Sequence, residues 1–209
     1  MASSGRYPIE RRAGEIERLH MQTAAIEFDA GVMLDRIGVS SGWRCLDLGC
    51  GPGGILELLS IRAGSAGRVV GLDADPVFLE HARLQARDRG LANVELVEGD
   101  AYRTGLPRGS FDFVHVRFVA STAGRPQELL REAIPLARPG GVVALQEPDS
   151  SMLKCYAPHE AWDRLTQVLE QVFGCVGGNV RLSQQLYLAD ADTVSTYVTV
   201  AQVWGRRPR

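Results

Sequence analysis

Leu46-Asp47-Leu48-Gly49-Cys50-Gly51-Pro52-Gly53-Gly54 is an apolar run that ends in a dense glycine turn and opens into the helix-like stretch from Ile55 to Ser60. Without Cβ atoms the backbone can turn tightly there and let a ligand approach within van der Waals contact. The same strand-then-helix pattern continues outward from residue 44: RCLDLG, ILELLSIRAG, RVVGLD, PVFLEHARLQARDRG, VELVEGD, FDFVHVRFV, PQELLREAIPLA and GVVALQEPD. Strands alternating with helices at this spacing predict parallel βαβ units with right-handed crossovers. The runs VVGL and VVAL lack clean alternation, as expected of strands covered by helices on both faces. The expected fold is a doubly wound α/β sandwich.

Toward the N-terminus, Ile16, Leu19, Ala24, Ile26, Met33 and Leu34 recur at roughly helical spacing, so residues 9–37 read as one or two amphipathic helices before the first strand. Asp75 is placed to cap a helix that begins at Pro76 and stops near Gly90. Beyond Asp149, residues 159–173 read as a helix, residues 174–179 as a loop, and residues 193–204 as a strand in which Val194, Thr196, Val198 and Val200 alternate.

A length of 209 residues fits a single self-supporting domain. A net charge of -2 with mixed signs along the chain offers no electrostatic footprint for nucleic acid or an anionic membrane. Cys45, Cys50, Cys155 and Cys175 form no CxxC pair and no metal-ligand cluster, so they read as reduced thiols, and no metal is expected. No run approaches the roughly 20 apolar residues of a membrane span, and the start lacks a signal-peptide core; a cytoplasmic location is the expectation.

Gly49, Gly51 and Gly54 satisfy the dinucleotide pattern GxGxxG, which keeps a nicotinamide-dependent oxidoreductase as an alternative. Two features favour S-adenosylmethionine instead. Asp47 precedes the first glycine, where a carboxylate suits an ammonium group, and Pro52 removes an N–H that a pyrophosphate would use. Asp73, ending the next strand, is placed to accept both hydroxyls of a ribose. Asp100 follows a third strand on the same sheet edge, where it could accept from an adenine amino group.

With these pieces in view, the chain resembles the class I S-adenosylmethionine-dependent methyltransferases, and more narrowly the ubiquinone/menaquinone-biosynthesis-like group with methyltransferase-11 and -25 type domains. The matching segments are LDLGCGPGG, VVGLDADP, VELVEGDA, FDFVHVRFV and LARPGGVVALQEPD. The resemblance implies a mostly parallel seven-stranded-type, Rossmann-like sheet over residues 41–209 with an N-terminal helical lid over residues 1–40. It implies Gly49, Gly51 and Gly53 against the methionine moiety, Asp73 and Ala74 at the ribose, and Asp100 with Ala101 at the adenine. It places Arg117 near the transferred methyl. Several members carry a histidine after the fourth strand, where this chain has Val119-Ala120-Ser121-Thr122. Members also often end in two antiparallel strands; here a single strand-like segment suggests either a shortened C-terminus or a second subunit that completes the sheet, so a homodimer is kept in view.

Methyl transfer from a sulfonium mainly needs alignment and exclusion of water. A hydroxyl acceptor would also use a general base near the strand ends, and His20, Glu147 and Asp149 are the reachable candidates. His115, inside the fourth strand, reads as a satisfied core residue, and His81 as a surface one. Trp162, at helical spacing from Leu165 and Leu169, reads as core. Tyr7, Arg18, His20 and Gln22 are the polar positions a lid could turn toward substrate. The function this predicts is methylation of a small molecule, in keeping with a secondary-metabolite pathway; a cofactor-binding module without turnover is the non-catalytic alternative.

Overall fold

A computed structural model describes residues 14–148, 155–175, 177–179, 182, 194–197 and 200–208. It opens with α1 (Glu15–Ile37), one helix where the sequence allows one or two. The alternating core follows as β1 (Arg44–Leu48), α2 (Leu56–Ala63), β2 (Arg68–Asp73), α3 (Pro76–Asp88), β3 (Val94–Glu98), β4 (Phe111–Arg117), α4 (Pro126–Leu136) and β5 (Ala137–Pro148). Then come α5 (Glu160–Cys175), β6 (Val194–Tyr197) and β7 (Val200–Arg206).

Local chemistry sets the joints. Asp75 caps α3 by accepting from the Val77 N–H, and Pro76, which has no N–H to satisfy, takes the first helical position. At the other end of α1, Gly38 adopts φ 82 and donates back to the carbonyls of Leu34 and Asp35, as a left-handed C-cap does.

The sheet order is β3-β2-β1-β4-β5-β7-β6, parallel from β3 to β5. β7 lies antiparallel between β5 and β6. The expected single C-terminal strand is therefore corrected: two strands, β6 and β7, pair antiparallel there, with Tyr197 opposite Val200 in register. Alternation alone cannot distinguish one long strand from two short paired ones, because each has the same period of two. The chain builds all seven strands itself.

Both faces are covered. Met33 and Leu34 of α1, Leu59 of α2 and Leu79 of α3 pack with Cys45, Val69, Phe113 and Ala144 on one face. Leu129, Ala133 and Leu136 of α4 pack with Leu46, Val70, Val114 and Leu145 on the other. Burying each such aliphatic side chain contributes about 1.5–3 kcal/mol.

Two expectations about helices need revision. The C-terminal half of α1 is core, with Ala30, Met33 and Leu34 fully buried, and only its N-terminal half overhangs the sheet edge. Of residues 1–40, the described part is thus mostly a single helix whose second half is core. Helix α5 runs two residues past 173 and buries none of its side chains; Leu165 is 48% exposed and Leu169 40% exposed, so they are not core. Helical spacing signals an apolar face without saying what covers it.

Candidate active site

The glycine turn joins β1 to α2 at the carboxyl edge of the parallel strands, where such sheets bind ligands. Gly49 has φ 76, and a Cβ there would collide with the Val119 side chain, so both the turn and the approach of the loop after β4 require glycine. The Gly51 N–H donates to Asp73 Oδ2 at 2.8 Å, and the Asp75 N–H donates to Asp73 Oδ1 at 2.8 Å. β2 and the glycine turn are thereby held together. Each carboxylate oxygen retains a lone pair for a ligand hydroxyl. Burial pushes the Asp73 carboxyl up, against the two backbone hydrogen bonds that lower it.

Asp100 lies two residues past β3, is exposed, and accepts from the Tyr102 N–H at 2.8 Å. Ala101 packs partly into the core beside it, and Ala74 is exposed next to Asp73. Asp73 and the Asp100 turn adjoin through the Gly99 N–H, which donates to the Asp73 carbonyl at 3.0 Å.

Asp47, read in the sequence as a carboxylate beside the glycine turn suited to an ammonium group, lies within β1. It is 2% exposed, inside the sheet, and its Oδ1 accepts from Nδ1 of fully buried His115 at 2.7 Å. An ionised carboxylate can only accept, so Nδ1 carries the proton of this bond. The other ring nitrogen faces Gln146 Oε1 at 3.0 Å, and the ring stacks beside Phe113. His115 is the satisfied core residue expected of a central strand. Asp47 Oδ2 is aimed upward, 3.1 Å from where a Cβ of Gly54 would stand.

Arg117, at the end of β4, turns toward α1 and the glycine turn, with Nη2 donating to Thr23 Oγ1 at 3.1 Å. His20, one turn earlier on α1, holds Nε2 3.4 Å from the Pro52 carbonyl. His20, Thr23, Gly53, Gly54, Gln85 and Arg117 line a groove of about 570 Å³, and exposed His81 is on its wall. Neither Asp73 nor Asp100 lines it, so the groove reaches the glycine turn from the α1 and α3 side.

Glu147 does not face that groove. It is fully buried, and its carboxylate accepts from the backbone N–H groups of Ala120 (3.0 Å) and Ser121 (3.1 Å). It thus holds the loop after β4, which leaves the strand through Phe118 at φ 56 and carries Val119 onto Gly49. Burial raises its carboxyl from 4.5 to about 7, with the hydrogen bonds from Ser121 and Ala120 acting the other way. The folded state keeps this proton where the unfolded chain has lost it, so the contribution is greatest below pH 4.5 and declines as pH rises to about 7. The decline amounts to about 3 kcal/mol. Asp73, also raised, acts in the same sense. We expect urea denaturation of Glu147→Gln from pH 5 to 8 to show a distinctly flatter stability profile than the parent; parallel profiles would contradict this assignment.

Thr23 is marked by no motif, and Gln146, though within LARPGGVVALQEPD, is given no role by it; only the tertiary structure brings them to Arg117 and His115. Asp149 and Tyr7 lie outside the described residues. Among the described residues no cluster suited to a metal is found, and no helix is long and apolar enough to cross a membrane. All four cysteines are free.

A nicotinamide site fits this framework poorly. The Gly51 N–H that a pyrophosphate would need is spent on Asp73, and β7 runs antiparallel where a dinucleotide fold continues in parallel. A family model described as a methyltransferase domain matches residues 39–193. The chain belongs to the class I S-adenosylmethionine-dependent methyltransferases. It is 45% identical over 74 residues to aklanonic acid methyltransferase DauC of a Streptomyces species, covering 35% of this chain and 34% of that one. It is 31% identical over 121 residues to demethylmenaquinone methyltransferase of Geobacillus kaustophilus, covering 58% and 52%. The match thus spans between a third and about half the length of these curated relatives. The fold is similar to that of a SAM-dependent methyltransferase from Aquifex aeolicus, with a TM-score of 0.67, 20% identity, and coverage of 92% of this chain and 97% of that one. It is also similar to that of the [4+2]-cyclase SpnF, with a TM-score of 0.57, 18% identity, and coverage of 85% and 79%. A methyltransferase fold therefore does not by itself dictate the reaction, which has to be argued from the site.

Proposed function

We propose that this methyltransferase moves the methyl group of S-adenosylmethionine to a small-molecule acceptor. The observation that carries this is the Gly51–Asp73 arrangement, a carboxylate anchored by two backbone N–H groups with a lone pair left on each oxygen for a ribose diol. When bound, the cofactor supplies an electrophilic methyl on a sulfonium, an excellent leaving group. The protein's task is then to align the acceptor and exclude water.

In this reading Asp73 and Ala74 meet the ribose, Asp100 and Ala101 the adenine, and Gly49, Gly51 and Gly53 with Asp47 the methionine end. His20 is the base for a hydroxyl acceptor, because its ring is exposed at the mouth of the groove on the overhanging half of α1. Glu147 is assigned to holding the loop after β4 rather than to proton transfer, since both its oxygens already accept from backbone amides. Likeness to enzymes named for aklanonic acid and demethylmenaquinone supports an acceptor of aromatic, hydroxylated or quinone-like character and a place in secondary metabolism. The reading includes no nucleic-acid or membrane partner, and a homodimer is the assembly to check by sedimentation.

Calorimetric titration with S-adenosylhomocysteine and, separately, with NADH tests the cofactor. Saturable binding of the first and none of the second is expected; binding of NADH, or of neither, would overturn the proposal. With an acceptor in hand, His20→Gln should lower kcat in a steady-state assay.

A further inference from the structure

The first half of α1, which carries His20, is held to the sheet differently from the second. The second half is core: Ala30, Met33 and Leu34 are fully buried, and Arg62 of α2 donates to the Gly31 carbonyl at 3.2 Å and to Asp35 Oδ1 at 2.9 Å. In the first half Met21 is 62% and Phe28 75% exposed, and Ile26 is the buried apolar residue. Directional bonds do the holding there. Arg117 Nη2 donates to Thr23 Oγ1 at 3.1 Å, and Gln202 of β7 donates through Nε2 to the Asp29 carbonyl at 3.0 Å. Asp29 is the last residue before the core half begins.

Gln202 is 1% exposed. A carboxamide withdrawn from water costs stability unless its polar atoms are met, and an apolar side chain could fill the same place without that cost. What the amide adds is direction. Its bond fixes one point of α1 relative to β7, whereas apolar contact is non-directional and lets a helix roll or slide. Gln146 stands beside Gln202 in register on β5 and Arg117 beside Gln146 on β4. A row of three polar side chains thus crosses three strands, and its two outer members each reach α1.

His20 depends on that hold. Its ring is exposed, and its Nε2 lies 3.4 Å from the Pro52 carbonyl, at the long limit of a hydrogen bond. Where the ring stands in the groove therefore follows where the α1 backbone stands. We propose that Gln202 is a positioning residue: through the Asp29 carbonyl it sets the first half of α1, and with it His20, over the groove. This rests on the reading of His20 as the base. Displacing a reacting group by about 1 Å can cost about 10²-fold in rate, so the loss of one such bond is felt in kcat.

The test uses Gln202→Met, which keeps the length of the side chain and removes the donor, and Gln202→Asn, which keeps the amide and is too short to reach Asp29. In both full-length variants, hydrogen exchange read by mass spectrometry should be about 3- to 10-fold faster over residues 19–29, with residues 33–37 as in the parent. The ring resonance of His20, identified by its loss in His20→Gln, should shift in both. With an acceptor available, Gln202→Met should lower kcat about 3- to 10-fold at unchanged KM for S-adenosylmethionine, and cause no further fall in the His20→Gln background. Exchange and His20 resonance both as in the parent would overturn the proposal. Faster exchange spread evenly over α1 and β7 with the His20 resonance unmoved would also overturn it, as the mark of a purely structural glutamine. An equal fall in kcat in the His20→Gln background would do the same. If His20→Gln itself turns over at the parent rate, the base reading fails and the proposal with it, a result distinct from the other three.

Discussion

Asp73→Ala is expected to weaken S-adenosylhomocysteine binding by about 10²- to 10⁴-fold, the largest loss anticipated from any single substitution at this site. Two charge-assisted hydrogen bonds to a ribose diol contribute about 1.5–3 kcal/mol each, and both vanish with the carboxylate. The same oxygens hold the Gly51 and Asp75 N–H groups, so the substitution also frees the glycine turn from β2. Gly51 is only half-buried, and water can replace the lost acceptor, so the variant should fold. Calorimetry on a variant with native circular dichroism checks this; affinity within tenfold of the parent would show that the ribose lies elsewhere. Asp73→Asn should fall between the two, because the amide retains one accepting oxygen and presents a donor where the carboxylate had its second.

His115→Leu should be the most damaging change to stability among the residues beneath the site, costing about 3–5 kcal/mol. The substitution leaves Asp47 buried at 2% exposure with no partner for Oδ1. For a chain of this size that corresponds to a fall in Tm of roughly 6–20 °C. The pair Asp47→Leu/His115→Leu should be more stable than His115→Leu alone, because removing both ends leaves neither side of the 2.7 Å contact without its partner. Thermal denaturation of the two singles and the double gives the coupling directly. Additive losses would mean that the 2.7 Å contact contributes little, and that His115 matters only for its volume beside Phe113.

The two substitutions separate layers that are adjacent in space. In the proposed reading Asp73 acts on the ligand side of the glycine turn, whereas His115 acts under it, through Asp47. A loss of affinity in His115→Leu without a change at Asp73 would report how far the glycine turn depends on the polar layer that β1, β4 and β5 supply from below.

The sequence by itself determined the features written in short-range chemistry. The glycine turn, the Asp75–Pro76 start of α3, the alternation of parallel strands and crossover helices, and the acids at Asp73 and Asp100 all follow from a few neighbouring residues. Backbone conformation and strand–helix periodicity are local properties, and for that reason they could be read. The tertiary structure decided what depends on neighbours far away in the chain. The partner of Asp47 is 68 residues distant, that of Glu147 is 26 and 27 residues away, and Thr23 meets Arg117 across 94. It was likewise the fold that made half of α1 core, left the apolar face of α5 exposed, and divided the last strand-like segment between two antiparallel strands. A side chain's spacing indicates which face it occupies, but only the packing of the other elements determines whether that face meets core, ligand or water.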